Sequence, residues 1–242
     1  MPRFFIDQPL TADAELSLPD AVVRHVQVLR LNAGDALTLF NGAPADWECP
    51  ATVLSVGKRE VRVQLGAAQQ VSRESPLWLG LAQGISSGER MDFTLQKSVE
   101  MGVTEIFPVT SARSIVKLSG ERAEKRQERW QEIVIAACEQ CGRNRIPTVH
   151  PLLPLSQRLQ QLPQSDVRLL MGLHHPTSLK AIQPAPQRIT LMIGPEGGWS
   201  PEEEAAAFQT GFQSILLGKR VLRTETAALA AIAAMQTLWG DF

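Results

Sequence analysis

The chain has 242 residues, 44% of them hydrophobic and 20% charged, with a formal net charge of −1. That length accommodates one large domain or two small ones, and the balance of apolar and charged side chains excludes wholesale disorder. A near-neutral total lends no general support to a nucleic-acid partner, so any such surface has to be local.

The longest unbroken apolar run, Ala227 to Met235, falls far short of a membrane span. The first residues, Met1 to Asp7, lack the apolar stretch and cleavage site of a signal peptide. With three cysteines and no such signal, the expected compartment is a reducing cytoplasm.

Residues 1–72 hold six basic and eight acidic side chains and read as a small, mostly β domain. An amphipathic helix is expected over 20–30, with Val22, Val23, Val26 and Leu29 on one face and Asp20 as N-cap. Strands follow at 36–40, 47–56 and 60–65, with a turn at Asn41-Gly42 and clear alternation in Val61-Arg62-Val63-Gln64-Leu65. The pattern suggests a small barrel or sandwich. Residues 66–76 lack periodicity and mark the boundary.

Beyond them strands and helices alternate, which implies a parallel sheet covered on both faces in an α/β domain over 73–242. Strands are predicted at 77–83, 104–109, 167–171, 188–193 and 212–217. Helices are predicted at 89–101 (closed by Gly102), 121–140 (closed by Gly142), 201–208 and 224–239. Ser200 and Pro201 are placed as N-cap and first residue of the third, and Thr224 as the cap of the last. The stretches 147–163 and 176–186 read as connections carrying short elements. Residues 113–145 hold eight basic and five acidic side chains. That segment could meet phosphates, or be a solvated helix with interleaved Glu and Arg.

Two loops stand out because each follows an apolar strand and leads into a helix. In Ile193-Gly194-Pro195-Glu196-Gly197-Gly198-Trp199-Ser200, three glycines around a proline let backbone approach a ligand closely. In Leu217-Gly218-Lys219-Arg220-Val221-Leu222-Arg223-Thr224-Glu225-Thr226-Ala227, basic side chains precede a small-residue helix. Ligands of open α/β sheets lie at the carboxyl ends of strands, where both loops sit. Two tight connections with no ligand remain the alternative.

Dinucleotide, P-loop, metallopeptidase and serine-hydrolase motifs are all missing. Cys138 and Cys141 form a C-x-x-C, but with Cys49 as the only other cysteine a four-thiolate zinc site is impossible. A mixed site would need His150 or the His174-His175 pair. Inside a predicted helix the two cysteines read as small buried side chains, and no metal is expected. His174-His175 could line a ligand loop or an exposed turn.

At the two loops the sequence resembles the ribosomal RNA small subunit methyltransferase E family. Further matches are Arg24-His25-Val26-Gln27-Val28-Leu29-Arg30, Gln96-Lys97-Ser98-Val99-Glu100-Met101-Gly102-Val103 and Ala136-Ala137-Cys138-Glu139-Gln140-Cys141-Gly142-Arg143-Asn144-Arg145. They run in order along essentially the whole chain. Met101 stands where Leu is usual.

The resemblance implies a PUA-like barrel over 1–72 and a SPOUT domain over 73–242 whose last strands and loops tie a trefoil knot. It implies transfer of a methyl group from S-adenosylmethionine to N3 of one uridine near the 3′ end of 16S rRNA. The enzyme would be a homodimer acting on 16S rRNA, either as free RNA or within the small ribosomal subunit. By the same resemblance the cofactor is held by Met171 and Gly172, by Ile193, Gly194, Glu196, Gly197 and Gly198, and by Leu217, Gly218, Leu222, Thr224, Thr226 and Ala227.

Methylating uridine N3 requires a route for its imide proton and stabilisation of the anion left behind. Arg223 is the candidate for the anion or a nearby phosphate, and Glu225 for the base, unless Glu225 only complements the helix dipole. Glu196, also placed in the catalytic set, is expected to fix loop geometry or a ribose hydroxyl. RNA contacts are expected from Arg24, His25 and Arg30 on the first helix, and from Arg143 and Arg145. Two rivals stay open: another SPOUT activity, ribose 2′-O-methylation, and a non-catalytic RNA-binding assembly module.

Overall fold

The computed structural model describes residues 1–43, 46–172, 174 and 176–242. The chain divides into two compact units, Met1–Glu74 with Cys138–Ile146, and Ser75–Ala137 with Pro147–Phe242. None of the helices among the described residues is long and apolar enough to cross a membrane.

In the first unit, β1 (Arg3–Phe5), β2 (Glu15–Ser17), β3 (Ala36–Phe40), β4 (Trp47–Val56) and β5 (Val61–Leu65) form one sheet in the order β1-β3-β4-β5-β2, with β6 (Gln69–Gln70) against β4. Only β1–β3 is parallel. Among the described residues no pairing joins β2 to β1, so no closed barrel is formed by hydrogen bonds. Alternation in β5 turns Val61, Val63 and Leu65 inward and leaves Arg62 exposed, as a sheet with one wet face requires. Against that face pack Val22, Val23 and Val26 of α1 (Asp20–Val28).

Helix α1 is shorter than the 20–30 expected from the pattern. Its N-cap is Pro19, whose backbone is extended, and Asp20 is the first helical residue. Asp20 therefore complements the helix dipole without capping it. Arg30, past the helix end, has φ +56.

Residues 138–146 join this unit through partly buried polar contacts. Arg143 Nη2 and Nε hold both Glu74 carboxylate oxygens, at 2.6–3.2 Å, and Arg145 holds Asp46 at 2.6 and 3.0 Å. Asn144 and Arg3 meet at 2.6 Å. Glu48 receives Arg3, Arg73 and Asn144 at 2.5, 3.1 and 3.2 Å. Burial pushes the Glu48 carboxyl up, but these three donors outweigh it and hold it below its usual range.

In the second unit, β7 (Trp78–Gly84), β8 (Glu105–Thr110), β9 (Thr148–Val149), β10 (Leu153–Pro154), β11 (Val167–Met171), β12 (Arg188–Ile193) and β13 (Phe212–Ile215) form a wholly parallel sheet. Its order is β10-β8-β7-β12-β11-β13, with β9 on β8. β7 and β12 are buried almost throughout, which is why their sequences read as apolar runs without alternation. The connecting helices are α2 (Gly88–Glu100), α3 (Glu121–Cys141), α4 (Leu155–Gln161), α5 (Pro201–Gln209) and α6 (Thr224–Trp239).

Ser200 caps α5 as expected, in a capping box with Glu203. The cap of α6 is Arg223, with no side-chain bond, because the Thr224 hydroxyl is engaged elsewhere. β13 stops at Ile215, two residues before the predicted end. Its neighbour β11 ends opposite, at Met171, so Leu216 and Leu217 have no strand to pair with.

Helices α2 and α6 pack together around one buried amide. Gln236 is fully buried, accepts the Ser75 hydroxyl at 2.7 Å and donates to the Met101 carbonyl at 2.9 Å. Gly102, at φ +88, lies so close that a Cβ there would sit 2.4 Å from Gln236 Nε2. Gly102→Ala combines backbone strain with this overlap and is expected to cost about 2–3 kcal/mol, read as a lowered midpoint in urea unfolding. An unchanged midpoint would show that the helix pair tolerates displacement of Gln236.

Candidate active site

Because β11, β12 and β13 run parallel and in register, their carboxyl ends open at one edge of the sheet. The segments leaving them line a cleft of about 710 Å³ within the second unit, the size usual for a small-molecule site. From the first segment come Met171, Gly172 and His174; His175 lies outside the described residues. From the glycine loop come Ile193, Gly194, Glu196, Gly197 and Gly198, and from the last segment Leu217, Leu222, Arg223, Thr224, Glu225 and Ala227.

Two residues of the expected set, Gly218 and Thr226, do not line the cleft. Gly218 makes the left-handed turn at φ +76 that starts the segment, and Thr226 is exposed on α6. Sequence reasoning passed over Arg90, Trp199, Glu204 and Arg220, all of which line it. Arg90 lies more than a hundred residues from the glycine loop, and no local pattern signals such a meeting.

Close packing explains the glycines. A Cβ on Gly84, at the end of β7, would be 2.5 Å from the Pro195 nitrogen, and one on Gly197 would be 2.9 Å from Arg113 Cβ. The glycine loop is thus pressed between the end of β7 and the segment after β8. Arg113 Nη1 also donates to the Gly197 carbonyl at 3.3 Å.

Glu196 fastens the loop from the side. Its Oε1 accepts the Ser87 backbone N–H at 3.0 Å and Arg90 Nη1 at 3.2 Å. Burial raises the Glu196 carboxyl pKa, but these donors prevail and hold it below the usual carboxylate range. Such a carboxylate stays charged at neutral pH and is a weak proton acceptor. Glu225, on the first turn of α6, has a buried Oε2 without a hydrogen-bond partner, as have Glu196 Oε2 and Trp199 Nε1. Two acceptors and a donor therefore remain unmatched among the cleft residues, where buried polar groups ordinarily find partners.

The expected RNA residues fall into two sets, both in the first unit. Arg24, His25 and Arg30 are exposed, with the His25 ring stacked on Phe4 at 6.2 Å. Arg143 is buried and bound to Glu74, and Arg145 is half-exposed and bound to Asp46. Of the cysteines, Cys49 and Cys138 are buried. Burial pushes the Cys138 thiol up to about 12, which makes it inert. Among the described residues no group of three or more His, Cys, Asp or Glu side chains is placed to hold a metal ion.

An RNA methyltransferase domain family matches residues 73–236. The ribosomal RNA small subunit methyltransferase E of Buchnera aphidicola subsp. Acyrthosiphon pisum is 32% identical over 243 residues, covering 100% of this chain and 95% of that one. A crystal structure of a ribosomal RNA small subunit methyltransferase E from Neisseria gonorrhoeae, bound to S-adenosyl methionine, is 50% identical. It superposes with a TM-score of 0.95 over 100% of this chain and 99% of that one. A structure from Legionella pneumophila in complex with the cofactor SAM is 39% identical, with a TM-score of 0.94 over 99% and 98% of the two chains.

Glu196→Gln tests the loop fastening. A carboxyl held below its unfolded pKa stabilises the fold above that unfolded value, and the contribution is lost as pH falls through the folded one. The variant is expected to be less stable than the parent by about 1 kcal/mol at pH 7. The gap should close on acidification, followed by denaturant unfolding at each pH. A gap that is constant down to pH 3 would mean the charge of Glu196 contributes nothing.

Proposed function

Since the chain belongs to the ribosomal RNA small subunit methyltransferase E family, we propose that it methylates N3 of one uridine near the 3′ end of 16S rRNA, in the small ribosomal subunit. It is an RNA methyltransferase with S-adenosylmethionine as cofactor. The observation that carries the reading is the cleft. Three segments from the carboxyl ends of β11, β12 and β13 meet there, rich in glycine and lined by unmatched polar atoms.

The cleft residues suit this cofactor. Gly172, Gly194, Gly197 and Gly198 let backbone come close to a ligand. Leu217 and Leu222 offer apolar walls to an adenine, and Glu196 Oε2 is an acceptor suited to a ribose hydroxyl or an ammonium. The bound cofactor supplies an already activated methyl group on a sulfonium, so the protein's task is to orient, dry and deprotonate.

In the assignment we propose, Glu225 accepts the N3 proton and Arg223 faces the anion that results. The two carboxylates divide the work by environment. Glu196 is paired with Arg90 and the Ser87 backbone N–H and keeps its loop in place, whereas the Glu225 Oε2 has no partner and is free to take a proton. The side chains of Arg223 and Arg220 make no hydrogen bond or ion pair among the described residues, so their guanidiniums are available to oxygens of the substrate.

Residues 1–72 are the PUA-like RNA-binding domain, and 73–242 the SPOUT domain. Arg24, His25 and Arg30 touch RNA, while Arg143 and Arg145 act indirectly by holding 138–146 in place. The segment 216–224 is the last pass of a trefoil knot, consistent with its lining one cleft together with Met171-Gly172 and the glycine loop. The enzyme works as a homodimer, which is supported by Phe93 on α2 and Leu238 on α6, 45% and 40% exposed.

Incubation with small ribosomal subunits and S-adenosylmethionine, followed by nucleoside mass spectrometry, is expected to give 3-methyluridine. A ribose-methylated nucleoside would replace this reading with the 2′-O activity. Glu225→Gln is expected to slow transfer about 100-fold with cofactor affinity unchanged; near-normal turnover across pH would remove Glu225 as base. Arg24→Ala with Arg30→Ala should lower the slope of log affinity against log salt by about one for each phosphate that these arginines neutralise. An unaltered slope in filter binding would place the RNA elsewhere.

A further inference from the structure

We propose that Gln83, a residue outside the cleft, is a positioning residue. Through the Thr224 hydroxyl it sets the spacing of the two loops that bind the cofactor. The inference rests on the cofactor reading of the cleft and adds a residue that neither loop contains.

Gln83 is the penultimate residue of β7 and is fully buried. Its Nε2 donates to the Gly84 carbonyl at 2.9 Å and to Thr224 Oγ1 at 3.0 Å. The Thr224 hydroxyl, 6% exposed, donates in turn to the Gly194 carbonyl at 2.6 Å. The Gly84 carbonyl can only accept, so it is the amide nitrogen that faces it. With Thr224 Oγ1 receiving that N–H, its single proton is directed at Gly194. One strand end thereby ties the first helical residue of α6 to the start of the glycine loop. The same strand end braces that loop sterically, where Gly84 leaves no room for a Cβ against Pro195.

Stability does not account for an amide here. Gln83 Oε1 is buried with no hydrogen-bond partner, and an unpaired buried carbonyl is unfavourable where an apolar side chain of similar length would fit. A polar group that violates core chemistry beside a ligand cleft is what a positioning role leaves behind. Two consequences separate that role from a structural one. Removing the amide should leave the fold as stable as before or more so, and should still weaken the ligand held by the loops.

The test is Gln83→Met, Thr224→Val, the double variant and Thr224→Ser, each titrated calorimetrically with S-adenosylhomocysteine and unfolded in urea. Gln83→Met is expected to bind about five- to tenfold more weakly, with an unfolding midpoint no lower than the parent. Thr224→Val should lose at least as much affinity. The double variant should be no worse than Thr224→Val alone, since both act through one hydroxyl, and Thr224→Ser should restore binding to about twofold of the parent. Parent-like affinity in Gln83→Met, or additive losses in the double variant, overturns the relay and leaves the cofactor reading standing. If the parent itself binds no S-adenosylhomocysteine, the cofactor reading falls and the relay with it.

Discussion

The second unit depends on one contact: the Gly194 carbonyl, just past the end of β12, accepts a hydrogen bond from the Thr224 hydroxyl, thirty positions later in the chain. A parallel sheet gathers the carboxyl ends of its strands at one edge, but it does not determine how far apart the departing loops stand. That spacing is set by short contacts from three sides. β7 presses with Gly84, the segment after β8 presses with Arg113 against Gly197, and α6 reaches back with its first hydroxyl. Each contact is only possible because a glycine or a small polar group stands where it does. The cleft is what remains between loops so held.

Electrostatics then differentiates residues of the same type. Glu196 and Glu225 both line the cleft, yet one is clasped by Ser87 and Arg90 and held ionised, while the other keeps a bare buried oxygen. The first resists protonation and serves as a fixed anion; the second offers an unpaired oxygen to a donor. Arginines divide in the same way. Arg90 is matched to a carboxylate and Arg220 and Arg223 are not, and in the first unit Arg143 and Arg145 are engaged by Glu74 and Asp46 while Arg24 and Arg30 face solvent. Counting basic residues along 113–145 therefore overstates what is available to a polyanion, because the two at its end neutralise local acids.

Much of this was legible in the order of residues alone. Period-two alternation located β5, largely apolar runs located β11 and β12 to the residue, and Ser200-Pro201 announced the start of α5. Failures followed a single logic. Two-residue strands such as β9 and β10 carry no period, and β13 ended early because its partner ended. Asp20 and Thr224 had the right chemistry for caps and were used otherwise, since a cap depends on which backbone donors are left free rather than on side-chain type alone.

By itself the sequence determined the α/β class of the second unit, the strand and helix spans built on long periodic runs, and the two glycine- and arginine-bearing loops, because these rest on interactions within a few residues of one another. Only the tertiary structure decided which residues of those loops face a common space, that Gln83 at the end of β7 and Arg90 on α2 reach them, that 138–146 packs with the N-terminal residues, and which charges are neutralised. Those outcomes depend on contacts between residues 30 to 141 positions apart, whose strength is set by distance and burial, and neither quantity is written in the order of the chain.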